Sequence, residues 1–147
     1  MRRVVALLLA LAATPAPAWE ARAGEICELR HAEPQGSVRI TYDPRVPEYA
    51  ITIRRAGAAW PAGPVFAIRF DGARPLTITT GRHRLSEGGT ALTVTDRGFG
   101  NVLDGLEFNE TATARLGDLA LPFALTGPAP AAPAVAAFRR CAEGGLV

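Results

Sequence analysis

The turn around His83 carries the densest group of side chains that could do chemistry. Its imidazole lies between Arg82 and Arg84, and Ser86 and Glu87 follow close behind. Guanidinium groups bind carboxylates and phosphates through paired hydrogen bonds, so the turn is suited to an anion or to a carboxylate of a partner. A solvated, charged turn is the plainer interpretation, and the sequence leaves it open.

Trp60 is the second candidate for a binding role. It stands in GAAWPAGP, a turn-rich link between two predicted strands. An aromatic side chain there either caps the edge of the core or projects as an anchor for a partner. The sequence therefore predicts a binding site that combines Trp60 with Arg82, His83 and Arg84.

The usual parts of a catalytic site are scarce. The chain has two histidines, no lysine and two serines, Ser37 and Ser86, neither of which stands in a G-x-S-x-G elbow. Phosphate-binding, H-E-x-x-H and calcium-loop motifs do not occur. We therefore expect no catalytic residue, no cofactor and no metal site. The alternative is a small hydrolase that uses His83 together with a carboxylate. His31, in the polar segment ELRHAEP, is predicted to lie on the surface.

The two cysteines, Cys27 and Cys141, stand at opposite ends of the chain. In an oxidising compartment such a pair is expected to form a disulfide. In the chain-entropy model, closing so long a loop removes about 5 kcal/mol of entropy from the unfolded state. The alternatives are a nucleophilic Cys141 or a metal ligand, but neither a paired histidine nor a ligand spacing supports them.

The first residues, MRRVVALLLALAATPAPAWEARAGE, have the layout of a secretory signal peptide. The apolar run is about half of the roughly 20 residues that a membrane-spanning helix needs. Cleavage is expected after Ala18 or after Ala23, giving a leader of residues 1–23 at most. The proline between Ala16 and Ala18 favours the second position, which would remove Trp19 with the leader. Residues 24–147 then form one β-rich domain.

This cleavage removes the net positive charge of the full chain. Removal of residues 1–23 takes away three arginines and Glu20, and leaves 13 basic and 13 acidic residues of the original 16 and 14. Nucleic-acid binding needs clustered positive charge, so we expect no nucleic-acid partner. The predicted location is the periplasm or the medium, with no integral membrane segment once the leader is gone.

The middle of the chain is dominated by segments in which large apolar residues alternate with polar ones. In SVRITY, Val38, Ile40 and Tyr42 would face one way, and the residues between them the other. This period of two is typical of half-buried strands. Similar segments are EYAITIRR, VFAIRF, LTITT, ALTVTD, TATARL and LALPFAL. Together they predict an antiparallel β-sandwich or a partly open barrel, in which Pro122 would confine its strand to an edge.

Two segments favour short helices. Apolar residues recur at intervals of three and four from Phe99 to Leu106, which predicts a helical turn within residues 99–109, although Asp104-Gly105 also suits a hairpin. A second helix is predicted to begin at Pro133 and to end near the C-terminus.

The C-terminal stretch LPFALTGPAPAAPAVAAFRRC is similar to the end of small exported alphaproteobacterial proteins, of which the invasion-associated locus B family is the best-named group. The likeness consists of an apolar strand, a glycine, a small-residue helix and a terminal cysteine, at Phe123, Leu125, Gly127, Ala134, Phe138 and Cys141. The chain departs from that pattern by prolines between Gly127 and the helix. The resemblance implies a disulfide-containing β-rich protein of the periplasm or cell envelope, and it transfers no catalytic residue.

Taken together, these patterns predict an exported, non-enzymatic protein that binds another protein or a component of the cell envelope. A small periplasmic hydrolase and an inhibitor of a secreted enzyme are the alternatives. The inhibitor would need a rigid, protruding loop, for which RAGAAWPAGP is the candidate segment.

Overall fold

A computed structural model describes residue 10 and residues 18–144 of the chain. Strands make up the largest share of this part, and the last element is a helix. The elements are β1 (Glu20–Arg22), β2 (Cys27–Glu33), β3 (Gly36–Asp43), β4 (Glu48–Arg55), β5 (Phe66–Gly72), β6 (Leu76–Thr80), β7 (Arg84–Ser86), β8 (Ala91–Asp96), α1 (Gly100–Glu107), β9 (Asn109–Leu116), β10 (Leu119–Ala124) and α2 (Ala131–Gly144).

The strands form two antiparallel sheets that share one core. The larger sheet has the order β1-β2-β3-β4-β8-β7, and the smaller has the order β10-β9-β5-β6. This arrangement confirms the predicted mainly β class, with two antiparallel sheets and a C-terminal helix. It also places β10, which contains Pro122, at the edge of the smaller sheet, as predicted from the missing N–H of proline.

Alternation of residue type sets which face of each strand enters the core. On β3 and β4, Val38 lies opposite Ile53 and Ile40 lies opposite Ile51, and all four side chains are buried. Their polar neighbours along the strands point outward. Each buried aliphatic side chain contributes about 1.5–3 kcal/mol relative to an exposed one, so this register is strongly preferred.

The segment after β8 forms α1 and not a hairpin, as the apolar spacing predicted. Val102, Leu103 and Leu106 are buried on its inner face. Gly105 faces the ring of Phe70 so closely that a Cβ atom there would overlap it. The glycine of the Asp-Gly pair therefore serves helix packing and not a turn.

The C-terminal helix α2 begins at Ala131, two residues before the predicted start at Pro133. Proline fits in the first helical turn because the N–H that it lacks would have no intrahelical partner there. Val135 and Phe138 are fully buried, and Arg139 joins the helix to α1 by an ion pair with Asp104 at 2.6 Å. Neither helix within residues 18–144 is long and apolar enough to cross a membrane.

The predicted disulfide is present between Cys27 at the start of β2 and Cys141 on α2. Their Cα atoms lie 5.8 Å apart, and 114 residues separate them in sequence. The bond fixes the terminal helix to the larger sheet. Since both sulfurs are used, the interpretations of Cys141 as a nucleophile or a metal ligand do not apply to this oxidised form.

The first two strands are the part of the fold that the sequence did not predict. His31 was expected on the surface, but this is wrong because its side chain points inward from β2 and the residue is 5% exposed. Trp19 lies just before β1 and is also 5% exposed. Both rings belong to the core.

Candidate functional site

A cleft of about 410 Å³ opens between the two sheets where β6 and β8 face each other. We call this the open side of the sandwich. Seven apolar side chains from both sheets and from α1 line it. They are Ile51, Phe66, Ile68, Ile78, Val94, Phe99 and Val102.

The cleft exists because β6 is a short edge strand with no partner on its outer side among the described strands. It pairs with β5 alone. Its inward side chains, which include Leu76 and Ile78, are therefore partly exposed although the sequence pattern marks them as core. An apolar, concave surface of this size lies within the range of about 300–1,000 Å³ that is usual for small-molecule sites.

Polar groups occur at the rim of the cleft, where they bind each other. Arg82 forms an ion pair with Asp96 at 3.1 Å, and both side chains are well exposed. The backbone N–H of Arg82 also donates to the hydroxyl of Thr80 at 3.1 Å. The rim thus holds one guanidinium in place at the mouth of an apolar space.

The N-terminus of α1 forms another part of the rim. Residues from Gly98 to Val102 line the cleft, and Phe99 at the N-cap position provides no side-chain cap. The first turn contains no acidic residue. The first N–H groups of a helix have no intrahelical acceptor and carry partial positive charge, so this end of the cleft favours a negative group.

The predicted site residues of the turn have three different environments. Arg82 lies at the rim of the cleft, as described above. His83 is half-buried and donates from Nε2 to the carbonyl oxygen of Gly63 at 2.9 Å, while its Nδ1 is buried without a partner among the described residues. Arg84 is exposed on β7 at the edge of the larger sheet. The turn therefore exposes two guanidinium groups, while the imidazole already uses Nε2 in a hydrogen bond to Gly63.

Trp60, the fourth predicted site residue, lies in the core. It is 4% exposed, and its Nε1 donates to the carbonyl oxygen of Ile53 at 3.1 Å. Phe66 packs against it edge to face with ring centroids 6.2 Å apart, and the ring centroid of His83 lies 6.3 Å from that of Phe66. The turn and Trp60 are therefore joined through Phe66, but the indole is not exposed for contact with a partner.

The loop that contains Trp60 is fixed to the body of the protein. The backbone N–H of Trp60 donates to Gly89 at 2.8 Å, and that of Ala56 donates to Gln35 at 3.0 Å. With the indole inserted in the core, the centre of the loop is held against the sandwich. An inhibitory loop needs rigidity and also protrusion, and this geometry favours the first requirement alone.

On the opposite side of the sandwich, β1 and β2 meet the edge strand β10, and we call this the sealed side. Glu33 Oε2 accepts hydrogen bonds from Nε2 of His31 at 2.8 Å and from the backbone N–H of Ala124 at 2.9 Å. Trp19 stacks on His31 with ring centroids 4.4 Å apart, and its Nε1 donates to the carbonyl oxygen of Ala124 at 2.8 Å.

The carboxylate of Glu33 is stabilised in its charged form by these contacts. Burial raises the pKa of Glu33, but hydrogen bonds from His31, Ala124 and Gln35 together outweigh burial and leave its pKa below the ordinary value of 4.5. Although a buried histidine beside a carboxylate resembles a catalytic pair, these groups bind the edge of β10, and none of them lines the cleft on the open side. We interpret them as structural.

Comparisons of the chain with protein-family models, curated proteins and solved structures found no match. The site must therefore be interpreted from its own chemistry. Among the described residues, no group of three or more histidine, cysteine or acidic side chains converges as a metal site would require. In the same part of the chain, no hydrogen bond joins His83 to a carboxylate.

Sequence reasoning identified Arg82 but missed the cleft beside it. The strand pattern did mark Ile51, Ile68, Ile78 and Val94 as inward-facing residues. Alternation shows which face of a strand is apolar, but not where two sheets separate. The short length of LTITT and the turn residues after it were the available signal that Ile78 would stand at an edge.

Proposed function

We propose that this is an exported, non-enzymatic binding protein of the cell envelope, which holds a lipid-derived amphipathic anion in the cleft. The observation that carries the proposal is the combination of an apolar cleft of about 410 Å³ with a cationic side chain and an uncapped helix N-terminus at its rim. Such a site suits a molecule that has one acyl chain and one carboxylate or phosphate group.

The apolar part of the ligand would lie against Phe66, Ile78 and Phe99. Each of these side chains lines the cleft, and Ile78 is the one that is still partly exposed. Burial of apolar surface stabilises a complex by about 25 cal/mol per Å², and an acyl chain matches walls that offer few hydrogen bonds. The ligand would then cover the partly exposed side chain of Ile78.

The anionic head group would lie at the rim. Gly100 and Asn101, the first residues of α1, line the cleft, their N–H groups have no intrahelical acceptor, and no acidic side chain in the first turn competes with an anion. Arg82 lies at the same rim and is already oriented by Asp96. A ligand carboxylate would share or replace that ion pair.

Export is supported by two independent features. The first residues have the layout of a signal peptide, and the Cys27–Cys141 disulfide is of the kind that persists in oxidising compartments. The resemblance of the C-terminal stretch to the invasion-associated locus B family supports the same location. A protein that resides beside the membrane has ready access to lipid-derived amphiphiles.

Titration calorimetry with dodecanoate below its micellar concentration tests the proposal. We expect saturable binding of one dodecanoate per chain, and several-fold weaker binding of dodecanol because the alcohol lacks the charge that the rim favours. The variant Ile78→Trp places an indole in the cleft and should weaken binding of dodecanoate at least tenfold. Leu85→Trp adds the same ring on β7, where Leu85 is exposed and outside the cleft, and should leave binding unchanged.

The possible outcomes separate the parts of the proposal. If neither dodecanoate nor dodecanol binds, the cleft is not an amphiphile site and the proposal is wrong. Equal binding of the two would retain the apolar cleft but remove the anionic head group. Equal weakening by Ile78→Trp and Leu85→Trp would place the ligand elsewhere.

A further inference from the structure

We infer that the signal peptide is cleaved after Ala18, so that the exported protein begins at Trp19. The sequence offers a second small-residue motif ending at Ala23, and the proline between Ala16 and Ala18 argues for that second position. The fold argues for the first position. This inference rests on the proposed export and concerns a modification site far from the cleft.

Trp19 is an integral part of the sealed side. Its indole is 5% exposed and stacks on His31 with the two ring planes 4° apart. Its Nε1 donates at 2.8 Å to the carbonyl oxygen of Ala124, at the end of the edge strand β10. A tryptophan buried in this way contributes more core surface than any other residue type, which is unusual for a residue that is discarded.

The residues after Trp19 form an element of the larger sheet. Strand β1 pairs with β2, with Glu20 opposite Arg30 and Arg22 opposite Glu28. Ala21, between them, packs against the core. Cleavage after Ala23 would remove the whole strand and leave β2 as the new edge of the sheet.

Cleavage at the first motif preserves every one of these contacts. Hydrolysis adds water across the Ala18–Trp19 amide and leaves a carboxyl group on the released leader and an amino group on Trp19. In the structure the nitrogen of Trp19 donates to the carbonyl oxygen of Ala129 at 3.1 Å. The new ammonium group keeps this hydrogen bond and strengthens it by its charge.

Cleavage at the second motif would remove two hydrogen bonds and the indole that covers the buried ring of His31. The carbonyl oxygens of Ala124 and Ala129 would lose their donors, and one face of the His31 ring would be uncovered. The larger loss is the buried surface of Trp19 itself, because truncation of a core tryptophan leaves a cavity. The complete domain therefore requires residues 19–23.

The test is to express the full chain in a bacterium with a periplasm and to determine the first residue of the exported protein. Intact mass and N-terminal sequencing distinguish the two products, because they differ by the five residues from Trp19 to Ala23. We expect a single product that begins with Trp19. A product that begins with Gly24 would overturn the inference and leave export established.

Two matched variants test the two cleavage motifs separately. Ala18→Arg places a large charged residue where a small one is required, and should abolish the Trp19 product. Ala23→Arg does the same at the second motif, at an exposed position in the turn between β1 and β2, and should leave the N-terminus at Trp19. Loss of processing in Ala23→Arg would contradict the inference, and an uncleaved wild-type chain would contradict both the inference and the proposed export.

Discussion

The two edge strands of the smaller sheet, β10 on the sealed side and β6 on the open side, differ in how their exposed groups are bound. On the sealed side, backbone groups of the edge strand β10 are bound by side chains from the residue before β1, the end of β2 and the turn after it. Glu33 accepts from the N–H of Ala124, Trp19 donates to its carbonyl, and Gln35 donates to the carbonyl of Pro122 at 2.6 Å. Edge strands protected in this way do not recruit further strands.

On the open side, β6 has no such cover among the described residues. The inward side chains Leu76 and Ile78 are partly exposed, and the polar groups of the rim, Arg82 and Asp96, bind each other. Under the proposed function, the difference teaches that stability and binding are assigned to opposite sides of one core. The sealed side holds the two sheets together, and the open side leaves apolar surface free for a ligand.

Truncation of Trp19 is expected to show the difference most strongly. Trp19→Ala removes a buried indole, its stack on His31 and its hydrogen bond to Ala124, and should lower the free energy of unfolding by about 3–5 kcal/mol. On the open side, Ile78→Ala removes a partly exposed side chain and should cost about 1 kcal/mol. Urea unfolding of both variants measures this contrast.

Arg22→Ala is the control for Trp19→Ala, because Arg22 is exposed on the adjacent strand β1. Its effect should stay within about 0.5 kcal/mol. If Trp19→Ala were as mild as Ile78→Ala, the sealed side would not hold the sandwich together, and the inferred start at Trp19 would lose its physical basis.

Much of the fold could be predicted from local sequence patterns. The strands β3 to β6 and β8 to β10 follow from alternation of residue type, and Gly117, with φ of +56° in the two-residue turn, suits the hairpin between β9 and β10. The pairing of Cys27 with Cys141 followed from chemistry and compartment. The strands and the turn depend on residues close together in the sequence, and the disulfide depends on the expected oxidising compartment.

The sealed side could not be predicted because its residues have partners far away in the sequence. In ELRHAEP, His31 and Glu33 look like surface residues until Trp19 and Ala124 are placed beside them. Trp19 also stands next to a leader motif, which suggested that it is removed. The cleft was missed for a related reason, since alternation marks Ile78 as inward-facing without showing that the two sheets are separated at that point.

Acid should weaken the sealed side through Glu33. The pKa of Glu33 in the folded protein is lower than its ordinary value of 4.5, although burial alone would raise it, because hydrogen bonds from His31 and Ala124 stabilise the carboxylate. Its contribution to stability is therefore complete above about pH 4.5 and is lost as the pH falls through the lower, folded-state pKa. Unfolding by urea at a series of pH values measures this loss.

Glu33→Gln separates this effect from general acid denaturation. The variant keeps the shape of the side chain but replaces charge-assisted hydrogen bonds by neutral ones, which should cost about 1–2 kcal/mol near neutral pH. Its stability should then depend less on pH in the acidic range than that of the wild type. Glu87→Gln, at an ion pair with Arg54 in which the side chains are 52% and 41% exposed, is the surface comparison. Parallel curves for wild type and Glu33→Gln would show that the carboxylate of Glu33 has no special role in acid stability.

The smallest effect on stability is expected at the rim of the open side, where the effect on binding should be distinct. The side chains of Arg82 and Asp96 are 72% and 46% exposed, and exposed ion pairs contribute at most about 1 kcal/mol, so either alanine variant should change the unfolding free energy by about 0.5 kcal/mol or less. Dodecanoate should bind a few-fold more weakly to Arg82→Ala, which lacks the guanidinium. It should bind a few-fold more tightly to Asp96→Ala, because the freed guanidinium then meets the ligand without a competing carboxylate. Equal shifts of both variants in the same direction would mean that the rim positions residues of the cleft and does not contact the head group.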